Sequence, residues 1–208
     1  MMRVSLRRPG QGAVPTVIEC SWDQVVEFYV AAAKTPARER DPSGVGGDVP
    51  GIAFGAFDGS FKVEALRTEG LWAMVWDFDD VGQVEFERAL AQIRAAFSRG
   101  LAHTTWSFGE AGVWTPARPV RARVVVPFDE PCPAHQWPHV WQVCAGFALA
   151  EGAAPDAQCK NVNRWYYLPV DRIDGLVPQW ARPCWIETWP EPVEAYVASF
   201  HETKGWAF

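Results

Sequence analysis

Asp77 and Asp79 stand two residues apart at the end of the apolar run Leu71-Trp72-Ala73-Met74-Val75-Trp76, and Asp80 follows them. On a strand this spacing projects both carboxylates from one face while Phe78 points to the other. Two such carboxylates repel unless a cation lies between them. Hard divalent ions that keep open positions for phosphate oxygens and water suit oxygen donors of this kind. The plainer reading is a polar strand exit, with Asp80 capping the next helix at a spacing to Gln83 that allows it. An Asp-x-Asp alone is compatible with either.

Cations follow downstream. Arg121 and Arg123, in Arg121-Ala122-Arg123-Val124-Val125-Val126-Pro127, are again two apart and share one strand face, opposite Ala122, Val124 and Val126. Arginine is a good bidentate partner for phosphate; a solvated edge strand is the alternative. Arg164, opening Arg164-Trp165-Tyr166-Tyr167-Leu168-Pro169, suits either a triphosphate or a salt bridge to a core carboxylate. A different donor set, Cys132, His135, His139 and Cys144, has the ligand types zinc favours. Pro133 and Pro138 interrupt it, and the five-residue step from His139 to Cys144 turns Cys144 away on a helix. That assigns Cys144 to the core and His139 to a solvated face.

The elements that must position these groups read as mixed α and β. Ser21 with Gln24 three residues later forms a capping box, and Trp22, Val25, Val26, Tyr29, Val30 and Ala33 recur at helical spacing over 21–34. Residues 35–51 concentrate Pro, Gly and charge and read as a loop; Ile52–Phe57 reads as a strand ending at Asp58-Gly59. Residues 71–80 form a central strand, and 82–98 a helix with Phe86, Leu90, Ile93 and Phe97 on one face. Strands over 102–108, 121–127 and 163–168, a helix over 138–150 and a C-terminal helix from 191 complete the reading.

Composition narrows the function. The 208 residues carry a net charge of −6, against a sequence-independent binder of duplex DNA, which presents excess Lys and Arg. The longest apolar runs fall far short of a membrane span, and the first ten residues lack the apolar core of a secretory signal. Five cysteines without a Cys-x-x-Cys pair suit reduced thiols and a cytoplasmic setting. Phosphate-loop, serine-elbow and rolling-circle signatures are absent from the sequence.

The acidic strand, the Thr104-Thr105-x-Ser107 strand, the Arg-x-Arg-Val-Val-Val-Pro strand and the Arg-Trp-Tyr-Tyr-Leu-Pro strand come in a fixed order over residues 70–170. In order and spacing the series resembles the primase-polymerase branch of the archaeo-eukaryotic primase superfamily, found in phage and plasmid replication proteins. The resemblance implies an α+β fold with an RNA-recognition-type, RRM-like antiparallel or mixed sheet as catalytic core. Residues 1–70 would form an N-terminal module, 71–170 the core and 171–208 a helical extension. It implies a template-dependent DNA primase or polymerase that takes an NTP or dNTP, with Mg2+ or Mn2+ held by Asp77, Asp79 and, as third carboxylate, Asp156; Asp171 and Asp174 are substitutes. Ser107, Arg121, Arg123 and Arg164 would hold phosphates. A single-stranded DNA template with its primer would cross the sheet and stack on Trp106 or Trp114, and a helicase domain or protein would be a partner. The family's histidine after the Ser is missing: Phe108 follows Ser107, and the next histidine downstream is His135. Arg121 and Arg123 are expected to supply that charge. The rivals are a catalytically weakened nucleic-acid-binding domain and a zinc-stabilised interaction module. Removing either crowded carboxylate, Asp77 or Asp79, is expected to leave stability unchanged or raised.

Overall fold

The computed structural model describes residues 1–7, 15–34, 36–37, 50–57, 70–105, 120–169, 171–172 and 185–192. In chain order these form β1 (Met2–Arg7), β2 (Thr16–Cys20), α1 (Trp22–Ala33), β3 (Pro36–Ala37), β4 (Gly51–Ala53), β5 (Leu71–Val81), α2 (Gln83–Ala96), β6 (Gly100–Thr104) and β7 (Val120–Cys132). Then come α3 (Trp137–Leu149), a 3-10 turn (Ala157–Lys160), β8 (Tyr166–Tyr167), β9 (Asp171–Arg172) and β10 (Ile186–Trp189). Two antiparallel four-stranded sheets result, ordered β2-β1-β4-β8 and β10-β6-β7-β5, beside a small parallel β3–β9 pair. The α+β class follows.

The second sheet carries the acidic strand. β5 and β6 each pair antiparallel with β7, so they run parallel to one another with β7 inserted between them and α2 as their crossover, a split βαβ unit. Both faces of β5 are covered. Met74, Trp76 and Phe78 pack with Phe86, Ala89, Leu90 and Ile93 of α2 and with Cys144 and Ala148 of α3. Ala73 and Val75 point the other way, with Leu101 and Val125, into a cluster with α1 and the first sheet. Burial on both faces is why this strand reads as an unbroken apolar run. Each large side chain so buried contributes about 1.5–3 kcal/mol. The Trp76 indole N–H also donates to the Cys144 carbonyl (3.1 Å), tying α3 to the strand.

α1 is a middle layer. The Ser21 hydroxyl accepts from the Gln24 N–H (3.2 Å), and the Ser21 N–H donates to the Gln24 side chain (2.9 Å), the box read from the sequence. Val25, Val26, Phe28, Tyr29, Val30 and Ala32 are all buried, in one cluster with Val4 and Leu6 of β1, Ile52 of β4 and Tyr166 of β8.

Several expectations change. The strand over 71–80, read as central, lies at the edge of its sheet beside β7 among the described residues. The strand read over 163–168 shortens to Tyr166–Tyr167 and pairs with β4 in the first sheet. The strand from Ile52 ends at Ala53; of that read over 102–108, the structure forms Gly100–Thr104, and 106–108 lie outside the described residues. β1, β2, β9 and β10 were not foreseen, and β3 and the first residue of β4 fall within the segment 35–51 read as a loop. The helix read from 191 lies, from 193 onward, outside the described residues.

Candidate functional site

The β5–β7 register sets Asp77 directly opposite Arg123, and the β6–β7 register sets His103 on Arg123's other side. Asp77 is 4% exposed and Arg123 6%. Arg123 donates from Nε to Asp77 Oδ1 (3.2 Å), from Nη2 to Oδ2 (2.9 Å) and from Nη1 to the Tyr167 carbonyl (2.8 Å). Its guanidinium also lies 4.9 Å from the centre of the Tyr166 ring. Burial alone would raise the Asp77 carboxyl; the charge and hydrogen bonds of Arg123, with Arg164 adding, outweigh burial and hold it below the ordinary range. Burial likewise works against the Arg123 charge, and Asp77 more than restores it. His103 is fully buried, with Nδ1 2.7 Å from the Thr104 carbonyl, so that nitrogen carries the proton. The ring lies 5.2 Å from that of Tyr29. Burial, then the nearby Arg123 charge, pushes its pKa down to about 3 and keeps the imidazole neutral.

Beyond this row the ladder slips. Phe78 pairs with Ala122 but Val81 pairs with Val120, so Asp79 and Asp80 together oppose the single residue Arg121, a β-bulge. Asp80 has φ 62°, the left-handed region that Asp tolerates better than most residues. Arg121 grips Asp80 with two hydrogen bonds, Nε to Oδ1 (2.8 Å) and Nη2 to Oδ2 (2.9 Å). Asp80 therefore does not cap α2; Gly82 is the N-cap, with no side-chain hydrogen bond. Asp79 is exposed, and no hydrogen bond or ion pair engages it among the described residues. Its carboxyl is raised above the ordinary range by partial desolvation and by the charges of Asp77 and Asp156, with Arg121 and Arg123 opposing.

The third carboxylate comes from beyond α3. The Asp156 N–H donates to the Asp77 carbonyl (2.7 Å), docking this segment on the outer edge of β5. Asp156 Oδ1 accepts from the Gln158 N–H (2.9 Å), capping the 3-10 turn, and Oδ2 accepts from Arg164 Nη2 (2.9 Å). The same Arg164 nitrogen is 3.5 Å from Asp77 Oδ2, and Arg164 Nη1 donates to the Gln158 side chain.

Asp77, Asp79, Asp156, Arg123 and Arg164 thus share one neighbourhood, with Arg121 at its rim. Ser107, Trp106 and Trp114 lie outside the described residues. Two expectations need correction. Arg123 offers no open guanidinium to a phosphate, because a carboxylate and a main-chain carbonyl take all three of its nitrogens. Asp77 is a buried ion-pair partner, so its removal strands Arg123 in the interior and destabilises the fold. The alternative donor set separates: Cys132 and Cys144 are buried, their thiols raised by that burial, while His135 and His139 are exposed. As the side chains stand, no three His, Cys, Asp or Glu groups converge on one point among the described residues.

Sequence reading missed His103, Tyr29 and the role of Asp80. His103 shares the inward face of β6 with Leu101, two residues before it, a signal open to strand periodicity; the bulge has none. A scan of protein-family models, a search of curated proteins and a search of solved structures each find nothing that matches this chain.

Proposed function

We propose that this chain is a primase-polymerase domain that joins the α-phosphate of an NTP or dNTP to a primer 3′-hydroxyl on a single-stranded DNA template, releasing pyrophosphate. The observation that supports it is the placing of Arg164 Nη2, within 2.9 Å of an Asp156 oxygen and 3.5 Å of an Asp77 oxygen. A positive group already stands between two of the three carboxylates, with Asp79 beside them. For a divalent cation, Mg2+ or Mn2+, Asp79 and Asp156 would be the ligands with Asp77 behind them once the Arg164 guanidinium gives way, since the carboxylates do not converge as the side chains stand. Such an ion, when bound, lowers the pKa of an attacking hydroxyl and offsets charge on the leaving pyrophosphate.

The chain's own residues do the rest. Asp77, locked by Arg123, fixes the end of β5. Asp156 is fixed by its main-chain bond to Asp77 and by capping the 3-10 turn. Arg164, partly exposed, and Arg121, at the rim, are the cations best placed for a triphosphate, and positioning with charge neutralisation is most of what such transfer needs. Ser107, Trp106 and Trp114 keep the phosphate and template roles that the resemblance implies, a helicase remains the expected partner, and the cytoplasm the expected setting. No helix among the described residues is long and apolar enough to cross a membrane.

One observation favours a second reading. Two of the three carboxylates are already neutralised by arginine, as suits a nucleic-acid-binding domain that has lost catalysis. Primer extension with Mg2+ or Mn2+ separates the two. Wild type extends and Asp79→Ala does not; extension by Asp79→Ala at the wild-type rate removes the catalytic reading.

A further inference from the structure

From Ala73 to Phe78 each β5 residue pairs with the β7 residue whose number sums with its own to 200. Continued by one more step, this register would place Asp79 opposite Arg121, repeating two residues later the arrangement that buries and neutralises Asp77 against Arg123. The chain does not do this. One extra residue, Asp80, enters β5 in the left-handed conformation, and Arg121 takes both oxygens of Asp80 instead. We infer that Asp80 is a positioning residue: it occupies Arg121 and so leaves Asp79 with an uncommitted carboxylate for a cation.

Three observations carry this. The register shift falls between Phe78 and Val81 and nowhere else over the acidic end of the strand. Arg121 is close enough to Asp79 to act on its charge. Every other carboxylate of the cluster, Asp77, Asp80 and Asp156, is held by an arginine. A strand that needed only solubility at this end would gain more from the straight register, with Asp79 and Arg121 paired and no residue at positive φ. The inference rests on the metal reading for its purpose, though not for its geometry.

The test uses Asp80→Gly, which keeps the bulge backbone unstrained and removes the carboxylate, with Asp80→Asn as a second variant should the first fold poorly. Mn2+ alone is titrated and the free ion followed by electron paramagnetic resonance. Asp80→Gly should bind Mn2+ roughly two- to fivefold more weakly, the scale of one exposed ion pair formed at the metal's expense. Asp80→Gly/Arg121→Ala should return to wild-type affinity, a rescue that mere loss of structure does not produce. Unchanged affinity in Asp80→Gly, or a double variant as weak as the single, overturns the inference. If wild type and all variants fail to bind Mn2+, the metal reading falls, and a crystal structure of Asp80→Gly decides the geometry. Arg121 within hydrogen-bond distance of Asp79 supports the inference; Arg121 turned away overturns it.

Discussion

The same two strands carry two carboxylate–guanidinium pairs close together along the sheet, Asp77–Arg123 and Asp80–Arg121. Their chemistry is identical and their consequences differ. The inner pair is in register and almost wholly buried, and Arg123 also reaches the Tyr167 carbonyl of the other sheet. The outer pair is formed across a bulge, with the Asp80 side chain 54% and the Arg121 side chain 33% exposed. The inner pair cannot lose a partner without stranding a charge, whereas the outer pair can exchange one. Burial, more than geometry, divides an ion pair locked into the fold from one open to solvent.

The largest effect should come from the inner pair. Asp77→Ala should destabilise the protein by about 3–5 kcal/mol, because it leaves the Arg123 guanidinium buried without its counter-ion. Asp77→Ala/Arg123→Met should recover much of that loss. Urea unfolding measures both, with Arg121→Ala as the control: it should scarcely move the midpoint, and not at all in about 1 M salt, where the Debye length is roughly 3 Å. Equal losses for Asp77→Ala and Arg121→Ala would erase the distinction.

His103, on the far side of Arg123, sharpens it. Its folded pKa is about 3 against 6.5 for a free imidazole. The unfolded chain therefore takes up a proton that the folded chain refuses, and stability falls as pH drops from 6.5 towards 3, by at most about 1.4 kcal/mol per pH unit. Asp77 continues the loss below pH 3.8, since its lowered folded pKa makes the unfolded carboxylate the first to protonate. His103→Phe should flatten the upper part of this curve and leave the lower part, as measured by thermal midpoints from pH 7 to 3.

The smallest effect belongs to Asp79. Its folded pKa is raised, so its ionisation opposes folding, and the opposition grows as pH rises from 3.8 through the raised value. Asp79→Asn should lift the thermal midpoint slightly at neutral pH and not at all below pH 3.8. A lower midpoint at pH 7 would mean that Asp79 is a held carboxylate like Asp77.

Much of this site is legible in the residues. Two-residue spacing put Asp77 with Asp79 and Arg121 with Arg123 on common faces, and two strands that pair must bring such faces together. The facing partner depends on register, which no local spacing records, and a one-residue slip exchanged Asp79 for Asp80 as the partner of Arg121. β1 escaped notice for another reason. Met2, Val4 and Leu6 alternate with Arg3, Ser5 and Arg7, a strand period open to reading, yet the segment is weighed only against a secretory signal. The short strand Tyr166–Tyr167 was read correctly as extended, but its choice of sheet depends on contacts more than a hundred residues away, with Gly51 and Ile52.

The bond from the Asp156 N–H to the Asp77 carbonyl joins main chain to main chain. Of the substitutions at either position only proline at 156 removes it, so on the proposed reading the place of the third donor is inherited from the path of the chain while its chemical character is left open. A histidine at 156 would stand in the same place with a borderline nitrogen in place of a hard oxygen, and would draw the site's preference from magnesium towards zinc or nickel. On the proposed reading, the fold would be a socket whose metal taste can be rewritten one letter at a time.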